Sequence, residues 1–216
     1  MKKPWIQVSI DTQDIPSGIK QTEHATAIDA EWVEAGTPLL TFAGIGAIRA
    51  LADACPGSSI VADFKALDGV GQFFTHAGAL GASVATVMAV ANEASILKAI
   101  ETGHAAGVKI QVDLLGLPVG DLATRARELA DMGADYFLLH LAIDELMRNP
   151  AADPLAGLDQ VVAASDVPVG PVVFSGSQGV EAVRSGASYV VIGHPLITMD
   201  DAREQFVRFA DAVRTV

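Results

Sequence analysis

The amino-acid sequence predicts a (β/α)8 barrel of the TIM type, and three observations predict it. Short apolar or β-branched runs alternate eight times with longer stretches whose apolar residues recur at helical spacing. One junction recurs three times: Ala79-Leu80-Gly81-Ala82-Ser83, Ala130-Asp131-Met132-Gly133-Ala134-Asp135 and Arg184-Ser185-Gly186-Ala187-Ser188. Each reads as a helix end, a glycine at positive φ, a small residue that lets helix and strand approach, and a polar residue opening a strand. The length, 216 residues, matches one barrel.

The strands are expected at 5–10, 31–33, 59–62, 83–87, 109–112, 135–139, 167–173 and 188–192. The clearest of eight helical segments are 43–54, 93–106, 122–132 and 201–213. Helices are expected to start after Asn92 and Thr198 and to end at Gly107, Gly133 and Gly186. No linker, low-complexity run or composition shift divides 1–216, so one domain is expected. An open doubly wound sheet is the alternative.

Composition narrows the function. Hydrophobic residues make up 50% and charged residues 19%, which is globular. The formal net charge of −12 disfavours nucleic-acid backbones and anionic membrane surfaces as partners. The single cysteine, Cys55, permits no intrachain disulfide and reads as a small residue at a helix end. Met1-Lys2-Lys3-Pro4 leads into a strand-like run too short for a signal-peptide core, and no apolar stretch of ~20 residues occurs, so a cytoplasmic protein is expected.

Barrels build their sites at the C-terminal ends of the strands. Five of the eight expected ends carry an ionisable group: Asp11 (VSIDT), Glu34 (VEAGTP), Asp63 with Lys65 and Asp68 following (ADFKALD), Asp113 (QVDLLG) and His140 (FLLHLAID). Asp63 and Lys65, two apart, face the same way on a continuing strand. A lysine between carboxylates stays charged and is able to orient an oxyanion; taken alone, Asp-x-Lys-x-x-Asp is equally a structural ion pair. Glu34 and Asp63 fall on adjacent strands, and two hard carboxylates suit Mg²⁺; for Glu34 a helix-N-terminal carboxylate is the alternative. His140 is a candidate acid/base group, whereas His24, His76 and His104 fall in helical stretches and read as surface or packing residues. Asp135 and Asp144 read as capping or loop groups. A phosphate site is expected in the loops after strands seven and eight, where Ser175-Gly176-Ser177 and Gly193-His194 offer backbone N–H groups.

These motifs resemble the orotidine-5′-phosphate decarboxylase superfamily, and more narrowly its branch containing 3-hexulose-6-phosphate synthase and 3-keto-L-gulonate-6-phosphate decarboxylase. The resemblance runs in order over nearly the whole chain and rests most on ADFKALD together with EAGTP. It implies a Mg²⁺-dependent sugar-phosphate lyase working through an enediolate. Glu34 and Asp63 would hold the metal, Lys65 would stabilise the enediolate, and His140 would be the acid/base group. Asp11 and Asp113 would bind substrate hydroxyls, and Ser175, Gly176, Ser177, Gly193 and His194 would surround the phosphate. Asp68 would reach the partner's site across a homodimer interface, beside which Val70, Phe73 and Phe74 are apolar. The decarboxylase pattern has Glu where Asp113 stands and Arg where Ile143 stands, which leans toward the synthase, an aldolase. The branch's usual Ala-Gly-Gly is Ser175-Gly176-Ser177 here, and its Gly-Arg or Gly-Gly is Gly193-His194. Decarboxylation of a keto sugar-acid phosphate and a non-catalytic sugar-phosphate-binding barrel are the alternatives.

Overall fold

In the computed structural model, which describes residues 3–216, eight parallel strands close on themselves in chain order. They are β1 (Trp5–Ile10), β2 (Trp32–Ala35), β3 (Ser59–Ala66), β4 (Ala82–Met88), β5 (Lys109–Asp113), β6 (Tyr136–Leu139), β7 (Val169–Val173) and β8 (Tyr189–Ile192). Closure is made by β1 pairing β8 in parallel, with Gln7 opposite Val191 and Val8 opposite Ile192. Met1 and Lys2, on which part of the reading of the N-terminus rests, lie outside the described residues.

Among the described residues ten α-helices cover the barrel, two more than the sequence suggests. They are α1 (Ile15–Ala27), α2 (Thr37–Ala43), α3 (Ala47–Ala54), α4 (Val70–Ala79), α5 (Glu93–Ala105), α6 (Leu122–Met132), α7 (Ile143–Arg148), α8 (Leu158–Ala164), α9 (Gly176–Arg184) and α10 (Ala202–Arg214). The expected segment 43–54 is shortened because Gly44, at φ +82, ends α2, and α3 starts after Gly46. The stretch after β6 holds α7 and α8, separated by a loop through Pro150 and Pro154. Thr198 does not cap the last helix; it closes a short 3-10 turn, and α10 begins after Asp201. Asn92 does cap α5, its side chain accepting from Ala94 N at 2.9 Å. The three recurring junctions place Gly81, Gly133 and Gly186 at φ +99, +101 and +95, where a side chain would be strained.

Alternation along each strand sorts residues between two cores. Ile6, Val8 and Ile10 point outward and pack under the helices with Val33, Ala62 and Ile192. Trp32, Val61, Val84, Leu138, Tyr189 and Val191 fill the barrel itself. Its N-terminal end is plugged by aromatic rings: Trp5 stacks on Tyr189 with centroids 5.4 Å apart, and Trp32 meets Tyr136 edge-on at 4.8 Å. The plug leaves the C-terminal mouth as the open end. Among the described residues no helix is long and apolar enough to cross a membrane.

Candidate active site

Period-two alternation brings polar residues to the inside of the barrel mouth. On β1, Gln7 and Ser9 face inward while Ile6, Val8 and Ile10 face the helices, and Asp11 follows at the rim. Asp11 fits there because Gly36 has no side chain: a Cβ on Gly36 would overlap Asp11 Oδ1 and stand 2.9 Å from the Ile10 carbonyl. The same register puts Ser9 opposite Glu34 of β2, and Ser9 Oγ lies 2.6 Å from Glu34 Oε1 and 3.0 Å from Asp11 Oδ2.

Strand β3 runs past Asp63 to Ala66, longer than the sequence suggests, and is irregular there. Ala62 pairs with Ala85 and Ala66 with Val87, so four residues of β3 pass two of β4. Lys65 takes the left-handed backbone region, at φ +44, and its N–H donates to Thr86 Oγ1 at 3.0 Å. A non-glycine residue held there costs on the order of 1 kcal/mol or more. Lys65 therefore meets Asp63 through a bulge and not through a regular strand. Its Nζ lies 2.6 Å from Asp63 Oδ2 and 3.5 Å from Asp113 Oδ2.

Asp113 ends β5, fully buried. Its Oδ2 also accepts from His140 Nδ1 at 3.0 Å, and its Oδ1 accepts from Leu115 N at 2.9 Å. One carboxylate thus joins the lysine to the histidine, and His140 Nε2 makes no hydrogen bond among the described residues. Asp63 is held by Thr86 Oγ1 at 2.8 Å on one oxygen and by Thr37 Oγ1 at 2.6 Å on the other.

The electrostatics follow from four carboxylates around one lysine. Burial pushes the Glu34 carboxyl up to about 8, and the Asp63 and Asp11 charges add to that. At Asp11, on the rim, desolvation beside the mouth raises the carboxyl too, against the hydrogen bond from Ser9 and with the Asp63 charge adding. Burial also acts to raise Asp63, but the Lys65 charge and the three hydrogen bonds outweigh it and hold Asp63 below its ordinary range. Desolvation acts to lower Lys65; Asp63, Asp113 and Glu34 overcome it and keep the ammonium charged.

A cavity of about 480 Å³ opens here, lined by Ser9, Asp11, Glu34, Asp63, Lys65, His140, Gly193 and His194 on its polar side. Phe42, Leu141, Ile143, Val172 and Phe174 form an apolar wall. The structure thus brings together most residues singled out from the sequence. Asp113 sits beneath the cavity floor, behind Lys65 and His140. Ser175, Gly176 and Ser177 open α9 just outside the cavity. Ser175 caps that helix by accepting from Gln178 N at 3.3 Å, and its Oγ lies 3.0 Å from Ser177 Oγ. Gly193 packs on β1, since a Cβ there would stand 2.8 Å from the Ser9 carbonyl. Asp68 is exposed and does not line this chain's cavity. Of the apolar residues beside it, Val70 and Phe74 are buried in the core, and Phe73 alone of those three faces outward.

Four site residues escape a reading by strand ends: Gln7, Ser9, Thr37 and Thr86. Gln7, Ser9 and Asp11 form a polar period-two stripe on an otherwise apolar strand, which is the signal that finds two of them.

The oxygen donors of the mouth, Asp11, Glu34 and Asp63, are of the hard kind that Mg²⁺ takes. Ser9 Oγ lies between Glu34 and Asp11, and its one proton serves one of them at a time. Mg²⁺ takes one or two protein carboxylates and completes its shell with water and substrate oxygens. Among the described residues no group of three or more His, Cys, Asp or Glu is arranged to hold a metal ion.

Comparison with known proteins places the chain. The Orotidine 5′-phosphate decarboxylase / HUMPS family profile matches residues 4–209. A 3-hexulose-6-phosphate synthase from Staphylococcus aureus is 33% identical over 175 residues, 80% of this chain and 81% of that one. The 3-hexulose-6-phosphate synthase 3 of Staphylococcus saprophyticus is 37% identical over 129 residues, 60% of each chain. A crystal structure of a 3-hexulose-6-phosphate synthase superposes with a TM-score of 0.88 at 25% identity, covering 97% of this chain and 99% of that one. The chain therefore belongs to the Orotidine 5′-phosphate decarboxylase / HUMPS family.

Proposed function

We propose that this chain is a 3-hexulose-6-phosphate synthase, adding formaldehyde to D-ribulose 5-phosphate through an enediolate, with Mg²⁺ as cofactor. The observation that carries the reading is the Asp113 carboxylate, which touches both Lys65 and His140. An acid/base group and a fixed cation are thereby set side by side at the mouth, as proton removal next to a carbonyl requires. The relatives named 3-hexulose-6-phosphate synthase support the same activity.

In this reading His140 Nε2 takes a proton from C1 of the ketose, and Lys65 stabilises the enediolate oxygen. The C1 carbanion character then forms a bond to the formaldehyde carbon, whose oxygen is protonated as its π bond breaks. Glu34 and Asp63 would hold Mg²⁺, which when bound supplies positive charge to the oxygens of the substrate. Asp11 at the rim would meet the substrate hydroxyls, Asp113 would act from beneath by holding Lys65 and His140, and Gly193-His194, with Ser175-Gly176-Ser177 just outside the cavity, would take the phosphate.

A homodimer belongs to the proposal. Leu67 and Phe73, close to Asp68 in sequence, are 53% and 43% exposed. A hollow of about 460 Å³ lies beside Asp63, lined by Leu40, Ile45, Phe64 and Phe73 among others. A second copy seated there would bring its Asp68 to this mouth. A cytoplasmic setting is also part of the reading, in keeping with the single buried, free Cys55.

The test is a paired assay with Mg²⁺. Hexulose phosphate formation from D-ribulose 5-phosphate and formaldehyde is expected. Release of CO₂ from a 3-keto sugar-acid phosphate without that aldol product would overturn the proposal in favour of a decarboxylase. Substrate-induced thermal stabilisation with neither turnover would point to a binding barrel.

A further inference from the structure

The mouth rests on a second polar layer that touches no solvent. Gln7 of β1, Gln111 of β5 and Tyr189 of β8 are each 0% exposed. Branched aliphatic side chains dominate such barrel interiors, and a buried amide is costly unless hydrogen-bonded. These three residues form one directed chain. The Tyr189 hydroxyl donates to the Phe137 carbonyl at 2.6 Å. A carbonyl has no proton to return, so this bond sets the direction of every bond above it. The Tyr189 oxygen accepts from Gln111 Nε2 at 2.8 Å, and the same amide nitrogen donates to Gln7 Oε1 at 3.1 Å. With its oxygen occupied, Gln7 turns its own Nε2 to Glu34 Oε2 and donates to it.

The base of the chain is rigid. The Tyr189 ring stacks on Trp5, and it occupies the space that any Cβ on Gly170 would need. Gln111 keeps both of its bonds although its own Oε1 is buried with no partner. That orphan oxygen is what the layer tolerates in order to send a donor upward. Glu34 Oε2 is thus tied into the barrel while Oε1 meets Ser9 at the mouth.

We propose that Gln7, oriented by Gln111 and Tyr189, is a positioning residue that pins one oxygen of Glu34 and leaves the other to the mouth. The inference rests on Glu34 being a working carboxylate of the proposed site. A layer that only plugs the barrel would affect stability and nothing else.

The variants Gln7→Met and Gln111→Met keep volume and remove the amide; Tyr189→Phe removes one oxygen. Three readouts separate the roles: Mn²⁺ dissociation constants by EPR on substrate-free protein, kcat and KM for deuterium exchange at C1 of D-ribulose 5-phosphate, and Tm. Gln7→Met is expected to weaken Mn²⁺ binding about tenfold, the size seen when an outer partner of a ligand is lost. Its kcat falls while KM stays near the parent value. Gln111→Met and Tyr189→Phe shift both readouts the same way by smaller factors, and Tyr189→Phe decides the matter if the larger changes prevent folding. Parent-like Mn²⁺ binding and kcat with a lowered Tm would overturn the inference. A parent that exchanges but binds no Mn²⁺ removes the metal from the reading of Glu34, and kcat alone then judges Gln7. A parent that does neither overturns both.

Discussion

The carboxylate of Asp11 occupies the place where a side chain on Gly36 would begin. The glycine of EAGTP is therefore a seat for the acid that ends β1, two strands being fitted together at the rim. Gly36→Ala forces Asp11 out of the mouth and presses on the Ile10 carbonyl, 2.9 Å from the added carbon. Overpacking of this kind costs about 1–3 kcal/mol, and displacing by ~1 Å a group proposed to bind substrate costs about 10²-fold in rate. Activity is expected to fall much further than the melting temperature; steady-state assay beside thermal unfolding checks this.

Lys65 is the one lysine among four carboxylates of the mouth. Lys65→Ala removes the charge that would meet the enediolate, and kcat is expected to fall by at least ~10²-fold. Asp63 keeps its hydrogen bonds from Thr37 and Thr86, so the fold should persist. Circular dichroism with single-turnover kinetics tests the pair of outcomes; near-normal activity would remove Lys65 from the chemistry.

Chelation is expected to abolish turnover, and added Mg²⁺ to restore it. Glu34→Gln keeps the hydrogen-bonding shape and removes a carboxylate oxygen that the proposal gives to the metal. Its requirement for Mg²⁺ should shift to higher concentration, by about 10-fold or more. A titration of rate against free Mg²⁺ gives the answer.

At the closed end of the barrel, Asp135 lies 2.7 Å from Lys109 Nζ and 2.6 Å from His104 Nε2, and accepts from Ile110 N at 2.8 Å. Burial acts to raise its carboxyl, but these bonds hold it below the ordinary value of 3.8. A carboxyl depressed by folding stabilises the protein above its unfolded value and loses that contribution as pH falls through the folded one. Asp135→Asn should therefore be less stable than the parent at neutral pH, the gap closing below pH 3.8. Urea unfolding at neutral and strongly acidic pH measures it.

The barrel was legible because each strand and helix carries its own period, and because Gly81, Gly133 and Gly186 mark the same junction three times. The rim acids were legible because Glu34 and Asp113 end apolar runs. Lys65 was found for an incomplete reason: its left-handed backbone and the bulge against β4 depend on Thr86, a partner 21 residues away. Gln111 is hidden because a lone polar residue in a short strand looks like a solvent face, and the stripe that holds Gln7 gains its inward sense only when the barrel closes. The division into α2 and α3 depends on Gly44, whose positive φ is a local cue that helical periodicity overrides. Asp68 is exposed and outside this chain's cavity, so the role proposed for it requires a second chain.

Deuterium uptake at C1 of D-ribulose 5-phosphate, in D2O with Mg²⁺ and no formaldehyde, tests the joined Lys65–Asp113–His140 site most directly. The parent chain should exchange that proton, while Lys65→Ala and His140→Ala, both folded, should not. Equal exchange by all three, or none by the parent, would contradict a site in which His140 moves the proton and Lys65 holds the resulting charge.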